Sequence, residues 1–184
     1  PSKDALVPSS TAIILGKVRI PRIVVAGLVG GALALIGAIM QGLFKNPMAD
    51  PSVLGISSGA ALGAAIVIVA GLEATILGLS GIYIGAILGA MASWLIVYTI
   101  SRRIGNSDTN AVLLTGIAIS SVTSALITVL MTLNLDSMEQ VYMWMLGSFS
   151  NSTPSKSIIL LIASVILVPP IVLFSSRIDV LKLG

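Results

Sequence analysis

Five stretches of this chain run for 20 to 28 residues without one charged side chain. They lie between Arg22 and Lys45, Asp50 and Glu73, Glu73 and Arg102, Asp108 and Asp136, and Lys156 and Arg177. About 20 apolar residues suffice for a helix to cross the hydrocarbon core of a membrane. Only 9% of the 184 residues are charged and 56% are hydrophobic, whereas soluble domains carry about 25% charged residues. There is too little polar surface to coat a globule in water. The fold class is therefore all-α, a polytopic transmembrane helix bundle. Its five spans are predicted near 23–44, 53–71, 77–100, 111–133 and 157–175.

The joints 45–52, 72–76 and 101–110 are short, and only 134–156 is longer. In that segment Met138, Val141, Met145 and Phe149 recur at helical spacing beside Tyr142 and Trp144. This predicts one short amphipathic helix at the interface, where Tyr and Trp prefer to lie. It is too short and too polar to span.

The missing residues exclude several chemistries. Without histidine or cysteine, the commonest metal ligand and general base and all thiol chemistry are gone. No metal site, catalytic residue or cofactor is expected. None of the five spans holds Asp, Glu, Lys, Arg or His, which removes the groups that relay protons or sense voltage at membrane depth. Gly16-Lys17-Val18 lacks the glycine loop and Ser/Thr of a nucleotide-binding P-loop, so any energy source must be a partner chain. No Lys/Arg run with interleaved aromatics points to nucleic acid. The chain opens at Pro1 without a signal-peptide pattern.

Glycines repeat every fourth residue at Gly27 and Gly31, at Gly55, Gly59 and Gly63, and at Gly81, Gly85 and Gly89. In lipid, helices associate by close backbone contact, which glycine permits. The spacing fits a static, tightly packed bundle and equally one whose helices slide during transport.

The joint between the first two spans is built for a stop and a restart. Asn46-Pro47 disfavours helix at residue 46. Asp50 stands where an N-cap belongs, with Pro51 at the first helical position and the acidic charge at the positive end of the helix dipole.

Beyond these local rules, the strings "RIPR" at 19–22, "GGALALIGAIMQGLFKNPMADPSVLGISSGAALGAA" at 30–65, "LLTGIAISS" at 113–121 and "MWMLGSFS" at 143–150 occur in order. Together they closely resemble the FecCD-type permeases of bacterial ABC importers for iron-siderophores, haem and cobalamin. The resemblance implies a transport subunit, not an enzyme, translocating an iron-chelate such as a siderophore. It further implies cytoplasmic ATP-binding subunits that hydrolyse the ATP, an extracytoplasmic substrate-binding protein, and a second permease subunit, identical or paired. The location implied is the bacterial cell membrane, crossed several times. Residues 1–184 would be a single, incomplete permease domain similar to helices two to six of a ten-helix subunit, and such a piece alone is not expected to transport. The alternative is a non-conducting structural or assembly subunit.

Orientation is not settled by charge. With residues 1–22 external, Lys45, Arg102, Arg103, Arg177 and Lys182 fall inside, against Lys3, Lys17, Arg19, Arg22 and Lys156 outside. The family's topology places residues 1–22 outside and 45–52 inside. By the same resemblance, Arg19 and Arg22 are expected to meet acidic residues of the binding protein; the plainer role is anchoring at the headgroups. Ser107 and Thr109, in the joint before the fourth span, are expected at a cytoplasmic gate. Asn46, Pro47, Asp50 and Pro51 form the turn and cap.

Overall fold

In the computed structural model, residues 10–183 are described, except 48, 73–74, 77–78, 106–108 and 151. The chain is α-helical apart from one small hairpin. In order it forms α1 (Ser10–Ile14), a π-helical turn (Leu15–Arg19), α2 (Ile20–Phe44), a 3-10 turn (Pro51–Leu54) and α3 (Ile56–Val69). There follow β1 (Thr75–Ile76), β2 (Leu79–Ser80), α4 (Gly81–Gly105), α5 (Thr109–Leu133), α6 (Leu135–Leu146) and α7 (Pro154–Leu183). β1 and β2 pair antiparallel, Thr75 with Ser80 and Ile76 with Leu79. The contacts divide the chain into two compact units, Pro1–Met48 with Ser148–Gly184, and Ala49–Gly147.

Among the described residues four helices, not five, are long and apolar enough to cross a membrane: Ala12–Phe44, Gly81–Ile104, Thr109–Leu133 and Pro154–Ile171. The second expected span, 53–71, is shortened from both ends. Gly55 (φ +75°) breaks it from the 3-10 turn, and Gly71 (φ +64°) lies just beyond its end. The 14 residues of α3 reach about 21 Å, short of a hydrocarbon core of about 30 Å.

In the first unit the expected external segment before residue 23 is helical from Ser10. The cause of its irregular turn is Pro21. A proline has no N–H, and its ring collides with the carbonyl four residues back. The turn before it is wound as π-helix, with the N–H of Ile20 donating to the Leu15 carbonyl, five residues back. Helix α7 packs on α2, where the Ser157 hydroxyl is 3.3 Å from the Pro21 carbonyl and 3.0 Å from that of Thr153. Further along α7, Pro169 and Pro170 lie inside the helix and remove two N–H donors from its ladder.

The second unit has a small apolar core, with Ala65 and Ile68 of α3, Ile127 of α5 and Val141 of α6 buried together. Helix α6 is the short helix expected in 134–156, but its inward face differs from the pattern read in the sequence. Val141 is buried and Trp144 packs against the core, whereas Met138, Met145 and Phe149 are exposed. Periodicity locates an apolar stripe; which part of it meets α3 and α5 depends on how α6 leaves Asn134 and ends at Gly147 (φ +73°).

Candidate functional site

The most densely built region of the second unit is where the 3-10 turn and α3 lie against α4 and α5. It starts from glycines. A Cβ on Gly63 would collide with the Gly85 carbonyl oxygen, and one on Gly89 with that of Gly59. A Cβ on Gly59 would sit 2.6 Å from the Gly89 oxygen, and one on Gly85 2.8 Å from the Gly63 oxygen. The two four-residue repeats thus face each other, and α3 and α4 touch backbone to backbone. On α5, a Cβ on Gly116 would strike the Val53 carbonyl, so the 3-10 turn is seated there too.

The break at Gly55 frees backbone groups that, inside a membrane, need internal partners. Serine hydroxyls supply them. Ser93 of α4, itself buried, donates to the Gly55 carbonyl at 2.7 Å. Ser58 donates to the same oxygen at 3.0 Å and lies 3.4 Å from the Ser120 hydroxyl of α5. The Gly59 N–H adds a bond of 3.0 Å to that carbonyl. One oxygen therefore ties α3 to α4, while the Ser58–Ser120 pair ties it to α5. Elsewhere on α5, Thr115, Ser121, Thr123, Thr128 and Thr132 donate to carbonyls four residues back, which satisfies hydroxyls in an apolar helix at no cost in partners.

Ser58, Ser93, Gly116 and Ser120 were not singled out in the sequence. Their signal there is faint: isolated serines and a lone glycine inside charge-free runs. Only the helix approach shows that they converge.

At the joint 45–52, α2 ends at Phe44, two residues before Asn46. Lys45 adopts the left-handed conformation (φ +48°), its N–H bonding the Gly42 carbonyl at 3.4 Å and the Asn46 N–H the Gln41 carbonyl at 3.2 Å. This is a Schellman stop, completed before Pro47 is reached. Asp50 Oδ1 accepts the Ser52 N–H at 2.7 Å, with Pro51 next in line. The element it caps is the 3-10 turn, while α3 itself begins at Gly55. Hydrogen bonding from the Ser52 side chain, then from its backbone N–H, holds the Asp50 carboxyl below the usual carboxylate range.

Arg19 closes the π-helical turn and Arg22 lies in the first turn of α2; both are exposed. They therefore lie on a continuous helix rather than on a loop before it. Ser107 falls outside the described residues, and Thr109 is the exposed first residue of α5. Among the described residues no three acidic groups gather to hold a metal ion.

Comparison with known proteins gives the arrangement a context. The sequence profile of the FecCD transport family matches residues 3–184. The chain is similar to the hemin transport system permease protein HmuU of Yersinia pestis, at 39% identity over 91% of this chain and 50% of HmuU. It is also similar to the cobalamin import system permease protein BtuC of Halobacterium salinarum, at 36% identity over 79% of this chain and 38% of BtuC. A solved structure described as an inward-facing, metal-chelate type ABC transporter superposes with a TM-score of 0.79 at 28% identity, covering 100% of this chain and 57% of that one. The chain thus spans about half or less of the length of the curated relatives it matches.

Proposed function

The chain belongs to the FecCD transport family, and from that premise we propose that it is part of the permease of a binding-protein-dependent ABC importer, carrying an iron-chelate such as a siderophore into the cytoplasm. ATP is hydrolysed on separate cytoplasmic subunits, a second permease subunit completes the pathway, and the assembly resides in a bacterial cell membrane. What carries this reading is the match of nearly the whole chain to one transport family. The structure adds a physical reason for a partner-driven device. The short α3 and the candidate spans α4 and α5 meet through backbone and hydroxyl contacts, and none of the five charge-free runs holds Asp, Glu, Lys, Arg or His. These runs offer no carboxylate or imidazole to relay a proton at membrane depth.

Within this proposal Arg19 and Arg22 dock the external binding protein. Successive turns of one exposed helix bring them onto neighbouring positions, where guanidinium forks can grip carboxylates. Thr109, with Ser107, is proposed to border the cytoplasmic exit. The joint from Lys45 to Asp50 is proposed to face the cytoplasm as well.

The test is uptake. The full-length permease is reconstituted in proteoliposomes with its cognate ATPase and binding protein. Accumulation of a ferric siderophore that requires ATP supports the proposal. Uptake of haem or cobalamin in its place would change the substrate while keeping the importer. Failure to move any of the three, in vesicles where the complex is assembled and hydrolyses ATP, would favour a non-conducting assembly subunit.

A further inference from the structure

Helix α4 carries a second ordered surface, away from the glycines that pack it. Trp94, Tyr98 and Arg102 follow one another at four-residue spacing and so stand in line along one face. The two rings stack, with centroids 5.6 Å apart and planes 13° from parallel. The guanidinium carbon of Arg102 lies 5.6 Å from the Tyr98 ring centroid, and its Nη1 donates to the Tyr98 hydroxyl at 3.1 Å. The surface is open: Trp94 is 50% and Tyr98 44% exposed, and Met91 and Leu95 beside them are exposed as well.

The placement of the charge is the telling part. An arginine near the end of a membrane helix ordinarily extends its head outward to water. Arg102 instead folds back over the preceding turn, toward the apolar length of the helix. Beyond the N–H given to Tyr98, its guanidinium meets no acceptor among the described residues, and neither does that of the exposed Arg103. Asp108, the acidic residue of the following joint, lies outside the described residues. Exposed guanidinium groups at the end of an apolar helix, without an acceptor of their own beyond that one hydroxyl, are open to an anion. Along the axis, Arg102 stands about 12 Å from Trp94, a distance comparable to the headgroup layer and the upper acyl chains together.

We infer that Trp94, Tyr98, Arg102 and Arg103 form a binding site for the phosphate of an anionic phospholipid. The guanidinium groups take the phosphate oxygens, and the stacked rings lie against the glycerol and upper acyl chain. The inference rests on α4 being a membrane helix and is independent of what the protein transports.

The experiment uses the whole membrane protein in nanodiscs of phosphatidylcholine containing a small fraction of lipid brominated near the headgroup, either phosphatidylglycerol or phosphatidylcholine, with tryptophan fluorescence as the readout. Brominated phosphatidylglycerol should quench more at equal fraction, with an apparent preference of about fivefold for each arginine engaged. Arg102→Gln combined with Arg103→Gln should remove that preference, and Arg102→Gln alone should reduce it about fivefold, while circular dichroism stays unchanged. A Trp144→Phe variant should retain the signal, because Trp94 reports it. Equal quenching by both lipids in the wild type, or a preference that survives Arg102→Gln combined with Arg103→Gln, would overturn the site. So would loss of the preference on adding millimolar inorganic phosphate at constant ionic strength, which would make free phosphate the ligand. An absence of quenching by either lipid would mean that protein, not lipid, covers this face.

Discussion

At the scale of single residues, glycines of the same spacing have opposite roles. Gly63 has no room for a methyl group because the Gly85 carbonyl occupies it, whereas nothing lies within 4 Å of a Cβ on Gly31. Gly63→Ala is expected to destabilise the protein by about 1–3 kcal/mol, the usual cost of overpacking. Gly31→Ala should be neutral or stabilise by up to about 1 kcal/mol through helix propensity. Thermal unfolding in one detergent checks both, and equal shifts would contradict the packing described. Asp50 is a second residue with a sign that can be worked out. Its carboxyl is held below its ordinary range by Ser52, so the stabilisation is complete above the unfolded-state pKa and lost as pH falls through the folded one. Asp50→Asn keeps a capping oxygen but does not titrate. Its melting temperature should lack the part of the acid-side decline that Asp50 contributes to the wild type; identical profiles would mean that the ionisation of Asp50 contributes no stability.

At the scale of elements, the helix from Ser10 to Phe44 and the Schellman stop at Lys45 place a polar joint at the far end of one long rod. The 33 residues from Ala12 to Phe44, of which 23–44 carry no charge, exceed the roughly 20 needed to cross. Single cysteines at Ser10 and Asn46 in the full-length protein should therefore react with impermeant reagents from opposite sides of the membrane. Reaction of both from one side would remove α2 as a span. Helix α3 poses a different case. With about 21 Å of length and glycine at both boundaries, it depends for its place on α4, through the Gly59–Gly89 and Gly63–Gly85 contacts, and on α5, through the Ser58–Ser120 pair.

At the scale of the whole molecule, Arg19 and Arg22, proposed to lie outside the membrane, bear on assembly. A charge pair at the rim of an interface mainly steers encounter and sets register, and it weakens with salt. Replacing both Arg19 and Arg22 by Glu should lower affinity for the binding protein by about tenfold or more at low salt, where two exposed pairs contribute most. Little change is expected at high salt, and the fold should persist because both side chains are exposed. Acidic-to-basic changes on the binding protein should restore part of the loss. Equal affinities for wild type and double mutant at both salt levels would leave these arginines as headgroup anchors.

The sequence alone determined the membrane class, the approximate helices α2, α4, α5 and α7, and the capped joint at 45–52. These follow from charge placement and local capping, which act over a few residues or over the thickness of a bilayer. It also carried the family, through strings spread from Arg19 to Ser150. It did not reveal that α3 is too short to span, that Pro21 sits within a helix wound into a π-turn, or which face of α6 turns inward. Nor did it show that Ser58, Ser93, Gly116 and Ser120 meet around Gly55. Those outcomes depend on how closely two backbones approach, and glycines at identical spacing are packed in α3 and α4 but open in α2. A four-residue repeat states that close contact is permitted; only the neighbouring helix decides whether it is made.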